Sequence, residues 1–136
     1  MVNGMSRANL SVTNDQKPVM SLPNVLLRIE GLALFVGGIL LFAHAGGAWW
    51  VFLLFLLAPD LAMLPYMISL RAGAIAYNII HTFALPLVLL LVALSVSDAV
   101  LVQVAAIWIA HIGMDRVVGY GLKYATGFKD THMQRV

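Results

Sequence analysis

Four stretches of predominantly apolar residues, each about as long as a bilayer is thick, dominate this chain. They run from Val25 to Ala43, Trp49 to Ser69, Gly73 to Val96 and Asp98 to Val118. A hydrocarbon core of about 30 Å needs about 20 apolar residues of helix to cross it. A water-soluble fold of 136 residues cannot hide so much apolar sequence, because a domain this small leaves much of its surface to solvent. The composition agrees: 62% of residues are hydrophobic, 10% are charged, and the mean hydropathy is +0.94. The predicted class is an all-α integral membrane protein. The connections "HAGGA", "LRA" and "SVSD" are short enough to force antiparallel neighbours, so the spans form a four-helix transmembrane bundle.

Charge sets the expected orientation. Arg7, Lys17, Arg28, Arg71, Arg116, Lys123, Lys129 and Arg135 all fall on or near one side of such a bundle, and the opposite connections carry no lysine or arginine. Cytoplasmic flanks are enriched in these residues, and Trp49 and Trp50 sit where an aromatic interfacial anchor belongs on the other side. The expectation is a multi-pass protein of a bacterial cytoplasmic (inner) membrane, N-in and C-in. Residues 1–22 read as a flexible cytoplasmic tail, 23–120 as the transmembrane domain, and 121–136 as a cytoplasmic segment whose glycines permit it to fold back. With no cysteine there is no disulfide and no thiolate ligand.

The informative residues are the polar ones inside apolar runs. Counting about 1.5 Å of rise per residue places Asp60, Asn78, His81, His111, Asp115 and Glu30 in the inner half of the bundle, contributed by all four spans. An ionisable group at that depth costs a few kcal/mol on insertion scales unless it meets protein, water or a partner. His111 and Asp115 are four apart, and Asn78 and His81 three apart, so each pair shares a helix face. Pro59 disfavours helix at Ala58 and predicts a break just before Asp60.

Each group also has a purely structural reading. A buried histidine can bond a neighbour's carbonyl, Asp115 and Arg116 can form an interfacial pair, and Glu30 can pair with Arg28 or Arg116. Asn78 can bridge two helices, and His44 belongs to a solvated loop.

The blocks "RIEGLALF", "FLLAPDLAML", "GAIAYNIIHTFALP", "WIAHIGMDRVVGYGLKY" and "TGFKDTHM" together resemble the bacterial membrane proteins grouped as the domain-of-unknown-function 4260 family, from about Leu26 to Met133. That resemblance implies the fold and topology and carries no reaction. A weaker likeness is to the YdjM-like membrane-bound metal-dependent hydrolases. There Asp60 matches the aspartate of a "PD" motif and His111 and Asp115 match an HxxxD pair. Leu61, Ala62 and Met63 depart from the group, where a further aspartate follows, and His81 lacks a second histidine nearby.

Two readings of the polar set follow. In the first, Asp60, His81, His111 and Asp115 hold a divalent metal, zinc by ligand type, which activates water against a lipid or amphiphilic ester. Asp115 then doubles as a catalytic group. Arg116, with Lys123 and Lys129, holds an anionic headgroup, and His132 or Asp130 joins from the C-terminal segment as a ligand or general acid. In the second, the protein is a non-enzymatic transporter, channel-like or structural component, with "GG" at 37 and 38 promoting homo-oligomers and Pro59 marking a broken helix. Haem held by His81 and His111 is a lesser variant, without an attachment motif. The partners expected are the lipid bilayer and an anionic amphiphile. Nucleic acid is not among them, because no extended aromatic and basic surface exists.

Overall fold

The structure, a computed structural model, describes residues 20–136; most of the expected N-terminal tail lies outside the described residues. Four helical spans are long and apolar enough to cross a membrane: Leu22–His44, Trp49–Met67, Leu70–Ser95 and Ala99–Val118. The first is one continuous helix, α1 (Leu22–His44), opened by Ser21, whose side chain caps the Asn24 amide, and by Pro23 in the first turn. The second and third are each broken. The second consists of α2 (Trp49–Phe55) and a 3₁₀ segment (Ala58–Met67), and the third of α3 (Leu70–Ile80) and α4 (Ala84–Ser95). The fourth is α5 (Ala99–Val118), capped by Asp98 at its start and by left-handed Gly119 (φ 105°) at its end.

Both breaks trace to proline. In the second span the expected interruption at Pro59 is present, and it propagates: with Pro59 and Pro65 both in it, the segment stays 3₁₀ as far as Met67. In the third span helix was expected to run through Pro86. Instead α3 stops at Ile80 and α4 restarts at Ala84, which leaves Pro86 in the first turn of a new helix, where its missing N–H does least harm. A continuous helix would have pressed the Pro86 ring against the Thr82 carbonyl.

The bundle is not symmetric. α5 is mostly buried, whereas the other spans expose most of their surface, so α5 is the core around which the rest is arranged. It packs along α1 and α4, and the 3₁₀ segment packs on α3. The α1–α5 seam is built from small residues. A Cβ at Gly31 would overlap Arg116 and Gly113, one at Gly38 would overlap Ala106 and Ala110, and Gly113 lies against Phe35. Glycines seven apart place two such contacts on one stripe of α1 and let the backbones close in. Gly37 has open space around it. Of the "GG" pair, then, Gly38 serves packing within the chain.

After Gly119 the chain forms a small cap. An isolated antiparallel bridge joins Lys123 to Thr131, and a 3₁₀ turn (His132–Gln134) follows. Asn24 Nδ2 donates to the Met133 carbonyl and Arg28 Nη1 to the Val117 carbonyl (2.7 Å), which ties the cap and the end of α5 to the start of α1. The end of the chain and the start of α1 therefore share one end of the bundle.

Candidate metal centre

α5 delivers His111 and Asp115 from one face, as their spacing requires, and both are buried. His81 sits at the C-cap of α3, at the break itself, and is also buried. Asp60 comes from the first turn of the 3₁₀ segment, with about a third of its side chain exposed (33%). One donor atom from each of these four residues lies within 4.8 Å of the other three. His81 Nε2 and His111 Nε2 are 3.0 Å apart, each is 3.5 Å from Asp60 Oδ1, and each is 3.7 Å from Asp115 Oδ2. Ligand atoms tetrahedrally arranged about zinc at its usual bond lengths lie about 3.3 Å from one another. The five separations that involve a histidine, 3.0–3.7 Å, bracket that value, and the whole set lies within 4.8 Å.

The partners of the other ring nitrogens bear on the short His–His contact. His81 Nδ1 faces the Tyr77 carbonyl at 2.9 Å, and His111 Nδ1 faces the Leu56 carbonyl at 2.7 Å. A carbonyl only accepts, so in both rings Nδ1 carries the proton and donates it. In the neutral rings both Nε2 atoms then present lone pairs to each other at 3.0 Å. Two acceptors in contact repel unless a cation lies between them. A ring N–H given to a backbone carbonyl is also the usual support for a metal-binding histidine.

The break in the second span supplies one of those carbonyls; the Tyr77 carbonyl also accepts the His81 amide, as in an unbroken helix (2.8 Å). Within a continuous helix the Leu56 carbonyl would accept from the Asp60 amide, but that amide donates to Leu57 instead (3.1 Å), freeing Leu56 for His111. In the third span, the Ile80 carbonyl at the break accepts from Trp108 Nε1 (2.7 Å), and the His81 carbonyl accepts from Arg116 Nη2 (3.4 Å). Side chains of α5 thus fill vacancies that the prolines create, and the same bonds orient the site.

Tyr77 completes the setting, and sequence reasoning missed it. Its hydroxyl donates to Asp115 Oδ2 at 3.0 Å, and its ring stacks on His81 with centroids 3.6 Å apart. A cavity of about 220 Å³ adjoins the carboxylates, lined by Asp60, Met63, Tyr77 and Asp115 on the bundle side and by Tyr120, Lys123, Phe128, Lys129 and Thr131 after α5.

Several expected participants lie elsewhere. Arg116 is buried and donates to the carbonyls of Tyr120 (3.2 Å) and His81, so it braces the site from behind. It makes no ion pair with Asp115; desolvating both groups on one helix is tolerated because each has other partners. His132 stays in the cap, where its Nδ1 accepts the Leu122 amide proton (2.9 Å), outside the four-residue group. Burial, with the nearby Arg116 charge, pushes its pKa down. Asp130 pairs with Arg135 (2.5 Å) and Thr126, and those bonds hold it below the usual carboxylate range. Glu30 is exposed on α1 and pairs with neither arginine: Arg28 is committed to Asn24 and Val117, and Arg116 to carbonyls. Asn78 bridges α3 to the cap, not to a second helix, clasping the Lys123 backbone through both of its amide atoms (2.8 and 2.6 Å).

Residues 24–136 match the family described as "Domain of unknown function (DUF4260)". The chain belongs to that family. No curated protein and no solved structure matches it. The DUF4260 match covers all but the first two residues of the four spans, and the cap, so every residue of the cluster lies inside the family region.

Proposed function

We propose that this membrane protein holds one divalent ion, zinc by its ligand set, between Asp60, His81, His111 and Asp115, and uses it to hydrolyse a lipid or amphiphilic ester at the cytoplasmic face. The observation that carries the proposal is the 3.0 Å approach of two Nε2 atoms whose Nδ1 protons are both spent on carbonyls. Two imidazoles and two carboxylates suit zinc or a neighbouring first-row ion. Such an ion would supply a water acidic enough to ionise near neutral pH.

The chain's own residues have distinct parts in this reading. His81 and His111 are fixed by their carbonyls, and Asp115 by Tyr77. Asp60, partly exposed and lining the cavity, is the ligand able to yield a position to water. In hydrolysis the water oxygen bonds to the ester's central atom, the bond to the alcohol oxygen breaks, and a proton passes to that leaving oxygen. Asp60 and Asp115 both line the cavity and are the carboxylates able to relay it.

Elemental analysis by inductively coupled plasma mass spectrometry on detergent-purified protein tests the centre. The expected result is about one zinc, manganese or iron per chain in the wild type, lost in His111→Ala and in Asp115→Ala, with ester hydrolysis lost in parallel. A folded wild type that takes up no metal even when metal is supplied sinks the proposal. The Nε2 contact is then a shared proton, an imidazole–imidazolium pair of the kind a proton-linked carrier uses.

A further inference from the structure

Two groups in the cap are left unexplained by the metal centre, and both line its cavity. Lys123 is 7% exposed, yet its ammonium meets only ring faces and a thioether: Phe128 at 3.7 Å, Tyr77 at 4.4 Å and Tyr66 at 5.2 Å to the centroids, and Met63 Sδ at 3.7 Å. Among the described residues no oxygen accepts from it. Ring faces offset only part of the cost of burying an ammonium. Thr131 is 1% exposed, and its hydroxyl proton finds no acceptor among the described residues. The two residues are partners in the antiparallel bridge, so the fold sets this lysine and this threonine side by side in the lining of the cavity that Asp60 and Asp115 also line. The Lys123 backbone is pinned by Asn78 on both its N–H and its carbonyl, which makes this placement a fixed feature.

Charge indicates what the wall receives, and here the argument rests on the metal reading. A divalent ion is balanced by the two carboxylates, which leaves Lys123 and, behind the site, Arg116 uncompensated in a buried region. We infer that the cavity binds a phosphate group, with Lys123 and Thr131 as its anion anchors and the metal centre at its other side, so that the substrate is a phosphate ester. A phosphate carries close to two negative charges and several acceptor oxygens, which matches a point-charge ammonium, a hydroxyl donor and an uncompensated pair of cations. The phosphate belongs to a lipid headgroup or to a soluble ester, and the cavity chemistry is the same for both.

The experiment uses full-length protein with its metal content measured in every sample. Inorganic phosphate is titrated calorimetrically into detergent-solubilised protein, and retention of phosphatidic acid against phosphatidylcholine is read by native mass spectrometry from nanodiscs. Lys123→Met keeps an apolar stem in the aromatic cage, and Thr131→Val keeps the shape of the bridge residue, so both variants should fold. Expected are a roughly tenfold or greater loss of phosphate affinity in Lys123→Met and a smaller loss in Thr131→Val, with Lys123→Arg retaining most of it and metal content unchanged. Selective retention of phosphatidic acid assigns the site to a headgroup, and phosphate binding without such retention assigns it to a soluble ester. Metal-loaded wild type that binds neither probe, or that binds phosphate equally well as Lys123→Met, overturns the anion site and leaves the metal centre standing. Wild type that binds no metal removes the metal reading by itself, and the surplus charge with it.

Discussion

At the scale of single residues, the proposed centre depends on atoms that fix a tautomer or an orientation. Tyr77 shows this most clearly. Its hydroxyl holds Asp115 Oδ2, the same oxygen that faces both histidines, and its ring covers His81. Tyr77→Phe removes the hydroxyl and keeps the stack, so His81 stays in place while Asp115 loses its orienting bond. Loss of such an outer partner typically costs 10–100-fold in metal affinity. The expected result is zinc affinity weaker by about tenfold with thermal stability little changed, measured by competition with a chromophoric chelator. Unaltered affinity would mean that Asp115 is positioned by α5 alone. His111 and Asp115 were readable in the sequence because a charged or ionisable pair with helical spacing stands out in an apolar run. Tyr77 was not, since a tyrosine near the end of an apolar span looks like an interfacial anchor. The Leu56 carbonyl had no sequence signal, because only the backbone break frees it.

At the scale of elements, the α1–α5 seam decides how the site is held. Gly31, Gly38 and Gly113 let the two backbones touch, and Arg116 enters α5 opposite Gly31. A methyl at Gly38 would meet the Ala106 carbonyl and the Ala110 backbone, neither of which can move without shifting α5. Gly38→Ala is expected to destabilise the protein by about 1–3 kcal/mol, the usual range for overpacking. Gly37→Ala, one residue away in open space, should be neutral or slightly stabilising through helix propensity. Thermal unfolding of both variants in one detergent is the check, and equal effects would disprove the seam. The existence of four spans was legible from apolar length, and the Pro59 break from proline chemistry. The interruption at His81 was harder to see. Pro86 announces that helix must fail somewhere upstream, but the exact turn is chosen by the bonds that Trp108 and Arg116 make to the carbonyls released there. The sequence pairing of Asn78 with His81 failed for the same reason: the helix ends between them, and Asn78 turns to the cap.

At the scale of the whole molecule, the cavity sits at the end of the bundle that carries the start of α1 and the cap, so the side of the membrane it faces decides which substrate pool it meets. All eight lysines and arginines cluster toward that end in the sequence, and within the described residues Lys129 and Arg135 are exposed there. Lys123 is buried as well, its ammonium pushed down in pKa by desolvation against the pull of Asp115 and Asp60, so not every basic residue contributes to the surface. The positive-inside bias nevertheless predicts that this end is cytoplasmic. Because the chain has no cysteine, single substitutions report topology without background. Ala48→Cys lies exposed before α2 at the opposite end, and Ala125→Cys lies exposed in the cap. In intact cells a membrane-impermeant maleimide should label Ala48→Cys and leave Ala125→Cys unlabelled, with both labelled after lysis. The reverse pattern would place cavity and cap on the outer face, where a cytoplasmic phosphate ester could not reach them. The orientation and the proposed substrate pool would then be lost together, while the proposed metal centre, which depends only on contacts inside the bundle, would be unaffected.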